Sequence, residues 1–142
     1  MIEWQNVPED ISKYIGFVYV ITNKLTNQKY VGQKHYWKKV TLPPLKGRTK
    51  KEKARRKKLK GNKRHKIVES DWKTYWGSSK KLQQDIEQYG EENFTKEIIE
   101  NHMTKFDLSY AELLYQIENR VLFSNEWYNE MINVRLRRYN GK

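Results

Sequence analysis

Between Lys46 and Lys66 the chain carries 13 Lys and Arg residues and a single acid, Glu52. A helix or strand joins a core through a stripe of apolar side chains. This block, with Ala54 and Leu59 scattered among its charges, has none. Whatever folds must therefore be assembled from the residues on either side, with the stretch 43–70, opened by Pro43-Pro44, carried as an insertion. The block also holds all of the chain's net charge of +12, because the remainder has 16 bases and 16 acids. Charges this dense repel one another unless a polyanion offsets them. The block lacks the bulky apolar residues that would enter a membrane surface, so nucleic acid is the expected partner. Lys46, Arg48, Lys50, Lys51, Arg55, Arg56, Lys57, Lys58, Lys63 and Arg64 are the candidate phosphate contacts. They would give affinity without sequence information, and that affinity would fall steeply with salt.

The flanks supply a fold. A length of 142 residues suits one domain, here 1–142 with a core over 16–133, and 19 aromatics can fill it. No apolar run reaches the roughly 18–20 residues that span a bilayer, and Glu3, Glu9 and Asp10 do not suit a secretion signal, so a cytoplasmic protein is expected. The absence of Cys excludes disulfides, zinc fingers and thiol nucleophiles. After an irregular lead-in over 1–15, Phe17–Thr22 and Lys29–Gly32 read as strands around a turn-rich Asn23–Gln28, a β-hairpin. Ser78 or Ser79 caps a helix through Tyr89, with Leu82, Ile86 and Tyr89 on one face and Gly90 at its end. Residues 93–100 suggest a third strand. Ser109 and Glu112 form a capping box that opens a last helix, with Leu114, Ile117 and Val121 on its buried face. The expectation is a small α/β (α+β) domain with a three-stranded antiparallel sheet flanked by helices.

There is no Gly-rich phosphate loop, and His35, His65 and His102 are too scattered to suggest a metal cage. What remains is a hairpin with two tyrosines, Tyr19 and Tyr30, followed by Lys34, His35 and Lys39, then Glu112 and Asn129. In this the sequence resembles the GIY-YIG nucleases, in particular their small phage-encoded homing-endonuclease-like members. Phe17-Val18-Tyr19 stands where the family has Gly-Ile-Tyr, and Tyr30-Val31-Gly32, eleven residues after Tyr19, stands for Tyr-Ile-Gly. Trp76–Gln83 and Tyr89–Phe94 are similar to the family's second helix and its approach to the third strand, and Tyr128-Asn129 is similar to its terminal Gly-Tyr-Asn.

The resemblance implies a metal-dependent endonuclease acting on double-stranded DNA. In that mechanism Glu112 holds Mg²⁺ or Mn²⁺, Tyr19 and Tyr30 prepare the water, Lys34 or Lys39 with His35 neutralises the phosphate, and Asn129 orients ligands. A phenol near pKa 10 makes a poor base, so a neighbouring cation must favour its phenolate, and Lys34 is the nearest in sequence. Ser78, Ser79 and Lys80, at a helix start, are further phosphate contacts. The sequence departs from the family at its helical Arg, where Lys38-Lys39-Val40 stands; Lys34, Lys39 or Arg48 is left to replace it. That departure supports a second reading, a catalytically weak nucleic-acid-binding module on the same fold. A ribosome-associated RNA-binding protein would fit the charge but leave the Tyr hairpin and Glu112 unexplained.

Overall fold

The computed structural model describes residues 2–42 and 64–139, so the basic positions from Lys46 to Lys63 lie outside the described residues. The chain divides into two compact units, one from residues 1–36 and 71–142 and the other from 37–70.

The larger unit is built on a sheet of four strands, β1 (Trp4–Gln5), β2 (Gly16–Asn23), β3 (Lys29–His35) and β6 (Phe94–His102), in the order β1-β6-β2-β3. The expected hairpin is β2–β3, antiparallel with Tyr19 opposite Gly32. Its turn is closed by Asn23, whose Oδ1 accepts the backbone N–H of Leu25 at 2.9 Å, and by Asn27 at a φ of 63°. The expected three-stranded sheet thus has a fourth member: β1, from the supposed lead-in, runs parallel to β6. Trp4 accounts for it. The indole is buried edge-on against Phe17 and Tyr19, and its N–H donates to the Trp72 carbonyl at 2.6 Å, which ties the lead-in to the sheet.

The two faces of the sheet bury different chemistry. One carries an aromatic layer of Trp4, Phe17, Tyr19, Tyr36 and Trp72; Tyr36 also donates to Asn101. The other carries Val18, Val20 and Val31, packed with Leu108 and Val121. Period-two alternation along β2 and β3 sorts these residues, since a side chain and its second neighbour share a face.

Helix α1 (Lys80–Tyr89) begins at Ser79, whose hydroxyl accepts the Leu82 N–H at 3.3 Å, and ends at Gly90, as expected. Helix α2 (Lys105–Glu118) starts earlier than expected. Its cap is Thr104, whose hydroxyl accepts the Asp107 N–H at 3.1 Å, so Ser109 and Glu112 sit inside the helix and form no capping box. The buried face is accordingly Leu108, Ala111, Tyr115 and Gln116, while Leu114 and Ile117 are exposed and Val121 lies beyond the helix. No helix among the described residues is long and apolar enough to cross a membrane.

Strand β3 is an outer strand of the sheet, and residues 126–129 lie along it. The Lys29 N–H donates to the Glu126 carbonyl at 2.9 Å, and the Tyr128 N–H donates to the Lys29 carbonyl at 2.6 Å.

The smaller unit is a ribbon of β4 (Trp37–Thr41) and β5 (His65–Glu69), antiparallel from Trp37 opposite Glu69 to Thr41 opposite His65. Leu42 extends it by donating to the Arg64 carbonyl at 2.8 Å. Order on both sides of the basic block was not anticipated: the ribbon holds through backbone pairing, which needs no apolar stripe.

Candidate active site

A cleft of about 760 Å³ opens where β3, α1, α2 and residues 128–133 meet. It gathers, from distant parts of the chain, several of the residues singled out above. Tyr30 forms one side with Ser78, Ser79, Lys80 and Lys81 at the start of α1, and Glu112 and Gln116 of α2 face them. Val31 and Asn129 complete the floor at the sheet edge. A hydroxyl pair, two lysines at a helix N-terminus and a carboxylate therefore share one solvent-accessible space.

The tyrosines are arranged in depth. Tyr19 is only 1% exposed, and its hydroxyl is bonded to Tyr75. The ring reaches across Gly32, where an added Cβ would lie 2.6 Å from the Tyr19 hydroxyl. At Gly77, with a φ of 83°, a Cβ would meet the Tyr30 ring at 3.0 Å and the same hydroxyl at 3.3 Å. Glycine is thus required at position 32 by the Tyr19 ring, and at position 77 by its own positive φ and the Tyr30 ring. Tyr30 lies 6.1 Å from it, centroid to centroid, and is the tyrosine that lines the cleft, with its hydroxyl 3.1 Å from Ser78 Oγ.

The expected phenolate finds little support. Burial raises the pKa of Tyr19 well above its ordinary value, and the neighbouring Tyr30 and Tyr75 add to the shift. Burial also raises Tyr30; the Ser78 hydroxyl and N–H oppose it, while Tyr75 and Glu112 reinforce it. Lys34, the expected cation, already has partners. Its ammonium pairs with Asp71 at 2.7 Å and lies 4.1 Å from the centre of the Tyr75 ring, so its charge is largely answered already.

The remaining positions separate. His35 sits at the end of β3 and is not among the residues lining the cleft. Burial first, then the charges of Lys105 and Lys34, lower its pKa, which weakens it as a phosphate counter-charge. Lys39 is exposed on β4 of the smaller unit, and Arg64 is exposed beside β5. Asn129 lines the cleft, but its carboxamide is paired with a backbone: Oδ1 accepts the Val31 N–H at 3.1 Å and Nδ2 donates to the Val31 carbonyl at 2.9 Å. It acts there as one more residue of strand, fixing the cleft's floor.

Glu112 is the charged centre of the α2 side. Burial pushes its pKa up to about 7, and a hydrogen bond from Gln33 pulls the other way. Gln116, one turn further on, donates to Glu112 Oε1 at 3.3 Å. Among the described residues, neither the Gln33 nor the Gln116 carbonyl oxygen has a hydrogen-bond partner, although both are buried. No three His, Cys, Asp or Glu side chains converge among the described residues. A cation at this site would be held by one carboxylate and neutral oxygens, a hard donor set that suits Mg²⁺ or Mn²⁺ with most of its waters kept. Sequence reasoning missed Tyr75, Asp71, Gln33 and Gln116; only Gln116 carried a signal, its spacing of four from Glu112 on a helix.

A family model described as "Putative endonuclease segE, GIY-YIG domain" matches residues 2–132. No curated protein and no solved structure matches the chain significantly. The match spans every element of the sheet, both helices and the cleft that they enclose, and the chain therefore belongs to the GIY-YIG endonuclease family.

Proposed function

We propose that the protein is a divalent-metal-dependent endonuclease that hydrolyses phosphodiester bonds in double-stranded DNA at the β3 cleft. The observation that carries this reading is the meeting of Tyr30, the Ser78–Lys81 helix start and Glu112 in one space. Family members are generally dependent on a divalent metal. When bound at Glu112, such a cation supplies Lewis-acid charge for the phosphate and the leaving oxygen.

The chain's own residues do the rest. Lys80 and Lys81, with the N–H groups at the start of α1, receive the scissile phosphate. Tyr30 remains a neutral phenol and orients the attacking water through its hydroxyl, itself fixed by Ser78. Tyr19 lies behind it as a positioning residue, packed closely on Gly32. The basic block captures the duplex through its phosphates.

The experiment is cleavage of supercoiled plasmid at low salt. The wild type gives nicked or linear product with Mg²⁺ or Mn²⁺ and none with EDTA, and Glu112→Gln lowers the rate at least about a hundredfold. Equal rates for the two proteins would end this reading.

The answered charge of Lys34 favours a second one, a nucleic-acid-binding module of low activity. It predicts salt-sensitive DNA binding in a gel-shift assay with no metal-dependent product.

A further inference from the structure

We infer that Gln116 is a second protein ligand of the divalent cation, binding through Oε1 beside the Glu112 carboxylate. The inference rests on the proposed role of Glu112 and deepens it. Gln116 is 3% exposed, lines the cleft, and buries a carbonyl oxygen that no donor meets among the described residues. A buried acceptor left this way is costly unless something electropositive reaches it.

As the group stands, the unmet oxygen is on the end of the carboxamide away from Glu112, so a cation beside the carboxylate meets it only once the group has turned over. Gln116 Nε2 stands 3.3 Å from Glu112 Oε1. The two ends of a carboxamide have nearly the same shape, so turning the group over places Oε1 where Nε2 stands, at nearly the same distance from the carboxylate oxygen. Two bare acceptors at that distance repel, and the N–H therefore faces the carboxylate while no cation is held. Two oxygens at right angles around one ion, each about 2.0–2.1 Å from Mg²⁺, lie about 2.9 Å apart, and the larger Mn²⁺ sets them further apart. The separation of 3.3 Å is within about 0.4 Å of that. Glu112 and Gln116 are four apart on one helix, so a single rigid element presents both.

The test is Mn²⁺ binding by the full chain, followed by electron paramagnetic resonance at pH 7.5 without DNA, with near-ultraviolet circular dichroism to confirm the fold. Gln116→Leu is expected to weaken binding about tenfold or more. Gln116→Glu keeps an oxygen and adds charge while losing the N–H, and is expected to bind at least as tightly as wild type. If Gln116→Leu binds like wild type, or Gln116→Glu binds less tightly than wild type, the inference is overturned; weakening in both variants would mean that the side chain acts only by donating to Glu112. Should Gln116→Leu fail to fold, the Glu variant decides alone. Glu112→Gln separates this inference from its premise. Undiminished Mn²⁺ binding there removes the role of Glu112 itself, whereas lost binding there with normal binding in Gln116→Leu removes only that of Gln116.

Discussion

Replacing Gly32 with alanine puts a methyl group into the space held by the Tyr19 hydroxyl. The new Cβ would lie 2.6 Å from Oη, 2.8 Å from Cζ and 3.2 Å from Cε1. Two of these are shorter than real Cβ atoms tolerate, so either the ring or the strand must shift. The ring has little room, being fully buried with Trp4 at 5.2 Å, Tyr30 at 6.1 Å and Tyr75 at 6.1 Å, centroid to centroid. Overpacking of this kind costs about 1–3 kcal/mol, and the lower chain entropy of alanine returns roughly 0.5–1 kcal/mol, leaving a net loss of about 1–2 kcal/mol. For a chain of this size that is a fall in Tm of about 2–8 °C. Thermal unfolding followed by circular dichroism measures it. In a Tyr19→Leu background, which removes the hydroxyl and the ring, the same change should become neutral or stabilising. Plasmid nicking by Gly32→Ala should fall by more than its lost stability explains, because Tyr30 and Tyr75 lean on the displaced ring. A Gly32→Ala protein that melts at or above wild type, or that is equally destabilised in the Leu background, would refute the reasoning.

Three further outcomes follow from the same cleft. Asn129→Ala removes both bonds to Val31 and leaves a buried backbone N–H and carbonyl unmet, a loss of about 2–3 kcal/mol measurable by urea unfolding; a variant of wild-type stability would show that the floor holds without it. Because the Glu112 pKa lies near 7, a cation must displace a proton there at lower pH, and Mn²⁺ affinity should weaken about tenfold from pH 8 to pH 6. The metal-free protein carries the opposite sign. A carboxyl whose folded pKa is raised from 4.5 to about 7 contributes stability at low pH that is lost as the pH rises through that window. Melting in EDTA should thus decline from pH 5 to pH 8, and added Mn²⁺ should recover the loss at pH 8; a flat profile would place Glu112 outside the titrating range.

How far the sequence could be read depended on which force decided each element. The β2–β3 hairpin was legible because alternation and turn residues agree over Phe17 to Gly32, and α1 because Ser79 and Gly90 mark its ends. The start of α2 was misread because two cap signals compete, Thr104 with Asp107 and Ser109 with Glu112. Packing decides between them: starting at Lys105 directs Leu108 onto Val18 and Val20, and so turns Glu112 toward the cleft. Strand β1 is two residues long and exists through what Trp4 touches, which no local pattern announces. The site was half legible. Tyr30, Glu112 and the Ser78–Lys80 segment meet as residue types suggested, but Lys34 is taken up by Asp71 and Asn129 by a backbone, partners that only the fold could supply.

An outer strand with unpaired backbone groups is a standing invitation to other chains. Residues 126–129 decline it on behalf of β3, with Asn129 standing in for a strand neighbour at Val31. The same short segment is also a wall of the cleft. The shape of the cleft and resistance to aggregation are thereby held by one clasp, so a molecule whose clasp has come loose loses its proposed cutting site at the moment it becomes adhesive. Selection against sticky variants would then also preserve the shape of the cleft, even in a lineage where cutting itself went unused.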